Sequence, residues 1–297
     1  MNKVGVVIAS TGGNKLLRCV RSLRRMEPDL DIFVQVDQST VTYRMLGTPF
    51  DELQKTPAVY TYFVKDNEGY VNGGLNKAIE LMQRTSHDYA CLFQDDLIFS
   101  PLPEHRHSIS QWFDHPLLTQ SSGLRFSHFE ALTPTVDLRR SPLEWDREDM
   151  EGEDLWRFLA EQYVTVAFDG QDINPPGRSF WFRYEGPRRI EKWNRLGPTG
   201  QIIPIATWEQ VGRFNEHDGI FYDSEYPTEC FLRHLPPVYA VTNFPFIHLH
   251  NQSVNPWADP ARGVWSDTEG AFKKRYGGTR EEIWWGAWPE RWEGVEP

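Results

Sequence analysis

Four strand-length apolar runs punctuate the first hundred residues, at 4–9, 31–36, 59–64 and 89–93, with helical patterns between them. After the first run, Leu16, Cys19, Val20, Leu23 and Met26 recur at helical spacing until Pro28 stops the pattern. Before the fourth, Leu75, Ala78, Ile79 and Met82 do the same, which predicts a helix opening after Gly73-Gly74. Strands that alternate with helices argue for an α/β fold, a mostly parallel central sheet with helices on both faces.

A sheet of this kind binds ligands outside the carboxyl ends of its strands. Thr11, Asp37, Asn67 and the pair Asp95-Asp96 all follow strand ends, so they are expected along one edge. The acidic pair is the most informative, because it follows the apolar run Tyr89-Ala-Cys-Leu-Phe93 and Gln94. Two carboxylates buried there are costly unless something offsets their charge, and a divalent cation does so readily. Mg²⁺ held by one or two carboxylates usually keeps phosphate oxygens on its other faces, which makes Mn²⁺ or Mg²⁺ the expected cofactor.

The formal net charge of −11 argues against a protein whose task is to grip nucleic acid non-specifically. A nucleotide ligand would then need local help from a cation or from backbone N–H groups. Cys19, Cys91 and Cys230 have no metal-like spacing, and Cys19 and Cys91 sit inside apolar runs. Cys19 and Cys91 read as core residues of a reducing compartment. Residues 4–9 are too short for a secretory leader and read as a first strand, and no apolar run approaches the ~20 residues of a membrane helix. The sequence-based expectation is a cytoplasmic protein with no transmembrane segment.

Pattern weakens from 101 to 200, where the one clear helical stretch is about 153–163. A structureless loop of that length does not fit a compact domain, so an irregular insertion or second lobe is expected. Pattern returns with a strand at 201–206 and a helix from Thr207-Trp-Glu-Gln210, which has capping-box spacing. A further helix opens at Pro227-Thr228, and residues 238–243 read as a strand. Half of the twelve tryptophans lie beyond residue 256, an aromatic extension suited to packing on the body or on a second copy.

Asp37, the run Asn67-Glu-Gly-Tyr-Val-Asn-Gly-Gly-Leu-Asn76 and Phe93-Gln-Asp-Asp96 together resemble the nucleotide-sugar-binding half of family 2 glycosyltransferases with the GT-A fold. That resemblance covers the first hundred residues well and residues 200–253 loosely. It implies that Thr11 and Asp37 face the nucleoside, that Asn67, Gly69 and Asn76 line the nucleotide-sugar pocket, that Asp95 contacts ribose or sugar, and that Asp96 holds the metal. Gln94 departs from the family's D-x-D pattern at its first acid.

Gly212-Arg-Phe-Asn-Glu216 resembles the family's G-x-F-D-E segment, after which an acid deprotonates the acceptor hydroxyl. Tyr226 and Pro227 occupy the places of the family's acidic pair, so the resemblance leaves Asp223 or Glu225 as the base. Phe246-Ile-His-Leu-His-Asn-Gln-Ser253 resembles the place where a histidine completes the metal site, and either His248 or His250 fits it. Phe272-Lys-Lys-Arg-Tyr-Gly-Gly278 resembles a basic segment that follows the catalytic domain in some relatives, and it also reads as a plain helix end with a glycine cap.

The resemblance implies four parts: 1–100 as the nucleotide-sugar-binding half, 101–200 as an insertion or acceptor-side lobe, 201–255 as the rest of the catalytic domain, and 256–297 as the tryptophan-rich extension. The implied activity is metal-dependent, inverting transfer of a sugar from a nucleotide-diphosphate donor to a carbohydrate or other hydroxyl acceptor. The aromatic extension is a candidate homo-oligomer contact. Two other readings fit the sequence. A nucleotidyltransferase shares the sheet but normally has a basic, glycine-rich loop after strand one, where this chain has Lys15 alone. A non-catalytic sugar-binding protein with a decayed transferase fold would explain Gln94.

Overall fold

The computed structural model describes residues 3–10, 14–37, 48–64, 70–126, 129–132, 152–154, 156, 164–167, 173–174, 190–192, 200–217, 222–241, 245–249, 268–279 and 282–283. The first hundred residues form β1 (Val4–Ser10), α1 (Asn14–Met26), β2 (Asp31–Asp37), α2 (Thr48–Lys55), β3 (Val59–Val64), α3 (Tyr70–Arg84), β4 (Tyr89–Gln94) and β5 (Leu97–Phe99). A single-turn helix α4 (Pro116–Thr119) leads to β6 (Gly123–Phe126) and β7 (Phe129–Leu132). Then come β8 (Val164–Ala167), β9 (Ile173–Asn174), β10 (Ile190–Lys192), β11 (Gly200–Pro204), α5 (Ile205–Val211), α6 (Tyr222–Leu232), β12 (Val238–Val241), β13 (Phe246–Leu249) and α7 (Thr268–Tyr276).

Eight strands form the main sheet in the order β10-β12-β6-β11-β4-β1-β2-β3. β1 pairs in parallel with β2 and β4, and β2 with β3, as alternating strands and helices require. β11 runs antiparallel between β4 and β6. Alternate residues feed two cores. Val6, Ile8, Ile32, Val34, Cys91 and Phe93 face α1, whereas Val7, Phe33, Ala90, Leu92 and Ile203 face α3, α5 and α6. Helices therefore cover both faces, as the sequence predicts.

A second sheet, ordered β5-β13-β7-β8-β9, starts immediately after the Asp95-Asp96 turn. The rings of Phe93, Phe99 and Phe246 meet with centroids 5.0 to 5.8 Å apart and join the two sheets at that turn. Gly200 makes room for them, because a Cβ there would stand 2.8 Å from the Phe93 ring and 3.2 Å from that of Phe246.

Several sequence expectations need correction. α3 opens at Tyr70, so Asn72, Gly73 and Gly74 are helical. Gly74 is small because it faces the Gln35 side chain of β2, which a Cβ would strike at 1.6 Å. Strand β11 ends at Pro204 and α5 begins at Ile205, two residues before the capping-box pattern. α6 begins at Tyr222 and carries Pro227 inside it, so Asp223 and Glu225 lie on the helix and not before it. β5 and β6 were not visible as strands, and β6 places part of the 101–200 stretch between β11 and β12 of the main sheet. Of the helix expected at about 153–163, Gly152, Glu153, Asp154 and Trp156 are helical and the remainder lies outside the described residues. Among the described residues no helix is long and apolar enough to cross a membrane.

Candidate active site

β1, β2 and β4 end level with one another, since Ser10 is in register with Val36, and Ala9 with Gln94. Ser10 and Asp95 meet across that edge: the Ser10 hydroxyl donates to Asp95 Oδ2 at 2.5 Å. Lys15, in the first turn of α1, brings its Nζ to 3.1 Å from the same oxygen. Asp95 and Asp96 are 3% and 5% exposed, so the strand turn carries two buried carboxylates and one facing ammonium. Their field reaches the core behind them, where burial first, then Asp95 and Asp96, push the Cys19 thiol well above its usual range.

β13 runs antiparallel to β5, and His248 is in register with Leu97, the residue after Asp96. The backbone thus brings the histidine strand alongside the acidic turn. Asp37 ends β2 on the same edge. Thr11, Asn67, Gly69 and His250 lie outside the described residues. Among the described residues, no three His, Cys, Asp or Glu groups converge to hold a metal.

A second set of contacts joins α3 to the segment between α5 and α6. Asn76, fully buried, accepts the Phe214 N–H at 2.9 Å and donates to the Phe214 carbonyl and to Glu216 Oε1, each at 2.8 Å. One turn earlier, Asn72 donates to the Asn215 carbonyl at 2.7 Å. Burial opposes ionisation of Glu216, but the Asn76 amide and Arg213 outweigh it and hold that carboxyl below its usual range. Asn76 therefore clasps the Gly212-Arg-Phe-Asn-Glu216 segment, a role the resemblance does not imply.

Glu225 is 2% exposed, and both its oxygens are engaged. Oε2 accepts the Asn215 N–H at 2.7 Å, and Arg275 Nη2 of α7 stands 3.0 Å from Oε1. Asp223 lies in the first turn of the same helix. Pro227 has no N–H to offer the Asp223 carbonyl, whereas Thr228 donates its hydroxyl to the Ser224 carbonyl at 2.7 Å.

No family model and no curated protein sequence matches the chain. Its backbone resembles that of GalNAc-T7 with UDP, GalNAc and Mn²⁺, at TM-score 0.54 and 11% identity over 96% of this chain and 48% of the other. The chain has a GT-A fold. Looser likenesses are S. aureus TarS 1-349, at TM-score 0.49 and 10% identity over 93% of this chain and 74% of that one, and mannosyltransferase PcManGT from Pyrobaculum calidifontis in complex with GDP-Man and Mn²⁺, at 0.43 and 10% over 80% and 56%. The chain spans about half the length of the GalNAc-T7 structure.

Within the GT-A frame, the described residues of the acidic edge are Ser10, Lys15, Asp95 and Asp96, with Asp37 and His248 placed there by backbone. Ser10 and the pairing of Lys15 with Asp95 escape the sequence reading, because a serine at a strand end and a lysine in a helix's first turn carry no pattern of their own. Asn72 had a faint signal in its four-residue spacing from Asn76.

Proposed function

We infer that this chain is a nucleotide-sugar-dependent glycosyltransferase of family 2 type, which moves a sugar from a nucleotide diphosphate to a hydroxyl acceptor. The observation that carries this reading is the buried Asp95-Asp96 turn at the carboxyl end of β4, with Lys15 against Asp95 and the His248 strand alongside. In chemical type, a buried carboxylate beside a histidine strand suits Mn²⁺ or Mg²⁺, so Asp96, with His248 or His250, would hold it. Such an ion supplies neutralisation of the charge that builds on the departing diphosphate. Residues 1–100 would form the donor half, with Thr11, Asp37, Asn67 and Gly69 around the nucleotide. Residues 201–255 would form the acceptor side.

In the inverting reaction the acceptor oxygen bonds to the anomeric carbon as the bond from that carbon to the diphosphate breaks. The acceptor proton passes to a carboxylate on the far side. Asp223 is the better base of the two candidates, because Glu225 is buried with both oxygens engaged by Asn215 and Arg275. Holding donor and acceptor in line contributes the rest.

The Lys15–Asp95 pair also favours a second reading. A site in which one of the two acids is already paired with the chain's own ammonium suits a non-catalytic nucleotide-sugar binder. A thermal-shift series with UDP, GDP and CDP, each with and without Mn²⁺, tests the first reading on wild type and Asp96→Asn. Stabilisation by one nucleotide only when Mn²⁺ is present, lost in Asp96→Asn, is expected, together with donor turnover. Cation-independent stabilisation with no turnover would favour the binder, and no shift with any nucleotide would remove both readings.

A further inference from the structure

α7 belongs to the extension beyond the acceptor half, yet its last turn is bound into that half. Arg275 Nη2 stands 3.0 Å from Glu225 Oε1 and 3.6 Å from Glu229 Oε1, and the Tyr276 hydroxyl donates to Glu229 Oε1 at 3.0 Å. Burial, then Glu225 and Glu229, push the Tyr276 phenol far above its usual range, so it remains a donor throughout the neutral range. Gly277 closes the helix at φ +80°, and its N–H donates to the Lys273 carbonyl at 2.9 Å. That glycine cap fits one reading of the basic segment, while Arg275 turns inward.

Glu225 passes the contact on. Its other oxygen holds the Asn215 N–H, Asn72 of α3 holds the Asn215 carbonyl, and Asn76 holds Phe214 and Glu216 on either side. The path Arg275–Glu225–Asn215–Asn72 therefore links the extension, the helix bearing Asp223 and the helix beside the donor edge. Every step is a hydrogen bond or ion pair with a partly or fully buried partner.

We propose that Arg275 is a positioning residue, through which the C-terminal helix sets the 213–217 segment and the start of α6 for transfer. The kinetic part of this proposal rests on the transferase reading, and the structural part does not. An ammonium at this position reaches one carboxylate as a point charge, so it retains part of the effect.

Amide hydrogen exchange and steady-state transfer are measured on full-length wild type, Arg275→Met, Arg275→Lys and Tyr276→Phe. Arg275→Met is expected to speed exchange at 213–217 by roughly tenfold or more, leaving β1 and β4 unchanged. It should lower kcat by about tenfold at unaltered donor KM, the signature of misplacement and not of lost donor binding. Arg275→Lys should recover much of both, and Tyr276→Phe should show a smaller change of the same kind. Equal exchange and turnover in wild type and Arg275→Met overturn the proposal. So does exchange that rises uniformly through β1 and β4 in every variant, which would make Arg275 a general support of the fold. A wild type inactive with every donor would end the transferase reading, and the exchange comparison would then decide the structural role of Arg275 alone.

Discussion

Lys15 Nζ and Asp95 Oδ2 lie 3.1 Å apart at the strand edge, an ion pair whose acid is almost wholly buried. Removing one partner of such a pair strands the other charge, whereas removing both costs much less. Lys15→Met should therefore lower stability by roughly 2–3 kcal/mol, discounted for the partial exposure of the lysine. The Lys15→Met/Asp95→Asn double variant should recover part of that loss in urea denaturation. Additive losses would mean the two residues act independently.

Of the two candidate bases on α6, Glu225 is held in structural contacts. Asp223→Asn should reduce transfer by about a hundredfold or more while the melting temperature stays near wild type. Glu225→Gln removes the nearer of the two carboxylates at Arg275 and leaves Glu229 at 3.6 Å, so it should cost roughly 1–3 kcal/mol. Measuring kcat and Tm on both variants checks the assignment. A stable but inactive Glu225→Gln beside an active Asp223→Asn would reverse it.

Stability should carry a pH signature from Glu27. Burial pushes its carboxyl above the usual 4.5, although the N–H groups of Ile109 and Ser110, at 2.6 and 3.2 Å, pull it back. His107 Nδ1, 3.8 Å away, adds attraction when protonated. Because the folded value is raised, the native state binds the proton more tightly. The resulting stability is fully present below the unfolded value and is lost as pH rises through the folded one. Glu27→Gln keeps an acceptor for both N–H groups without the charge. Its stability relative to wild type should grow as pH climbs from 4.5 towards neutrality, read by urea denaturation across that range. A pH-independent difference would exclude Glu27 as the source.

Cysteine chemistry should be silent in the native protein. All three thiols are buried, burial pushes Cys230 up to about 12, and Cys19 and Cys91 are raised well above their usual range by burial first. A thiol-specific chromogenic reagent should label none before unfolding and all three afterwards. Rapid native labelling of even one would contradict the core placement of these residues.

The order β1, α1, β2, β3, α3, β4 and the acidic edge were legible in the chain itself. Period-2 and period-3.6 burial is a local property, and Val7 and Val6 or Leu92 and Cys91 take opposite cores because neighbouring residues on a strand must. Cys19 and Cys91 lie in the core as their apolar settings suggested, and Cys230 is buried as well. What escaped was set by partners distant in sequence. Gly74 reads as a helix breaker until Gln35 is seen against it, and four residues at 123–126 become a central strand only once β11 and β12 flank them. Lys15 is set apart from other lysines only because the turn after β4 brings Asp95 beside it. Arg275 looks like a solvated helix end until Glu225, fifty positions earlier, is brought to 3.0 Å. Backbone periodicity is written in adjacent residues, so the sequence alone determined the α/β frame and where the carboxyl edge of its strands falls. Charge pairing depends on which side chains folding brings within a few ångströms, and that was decided by the tertiary structure.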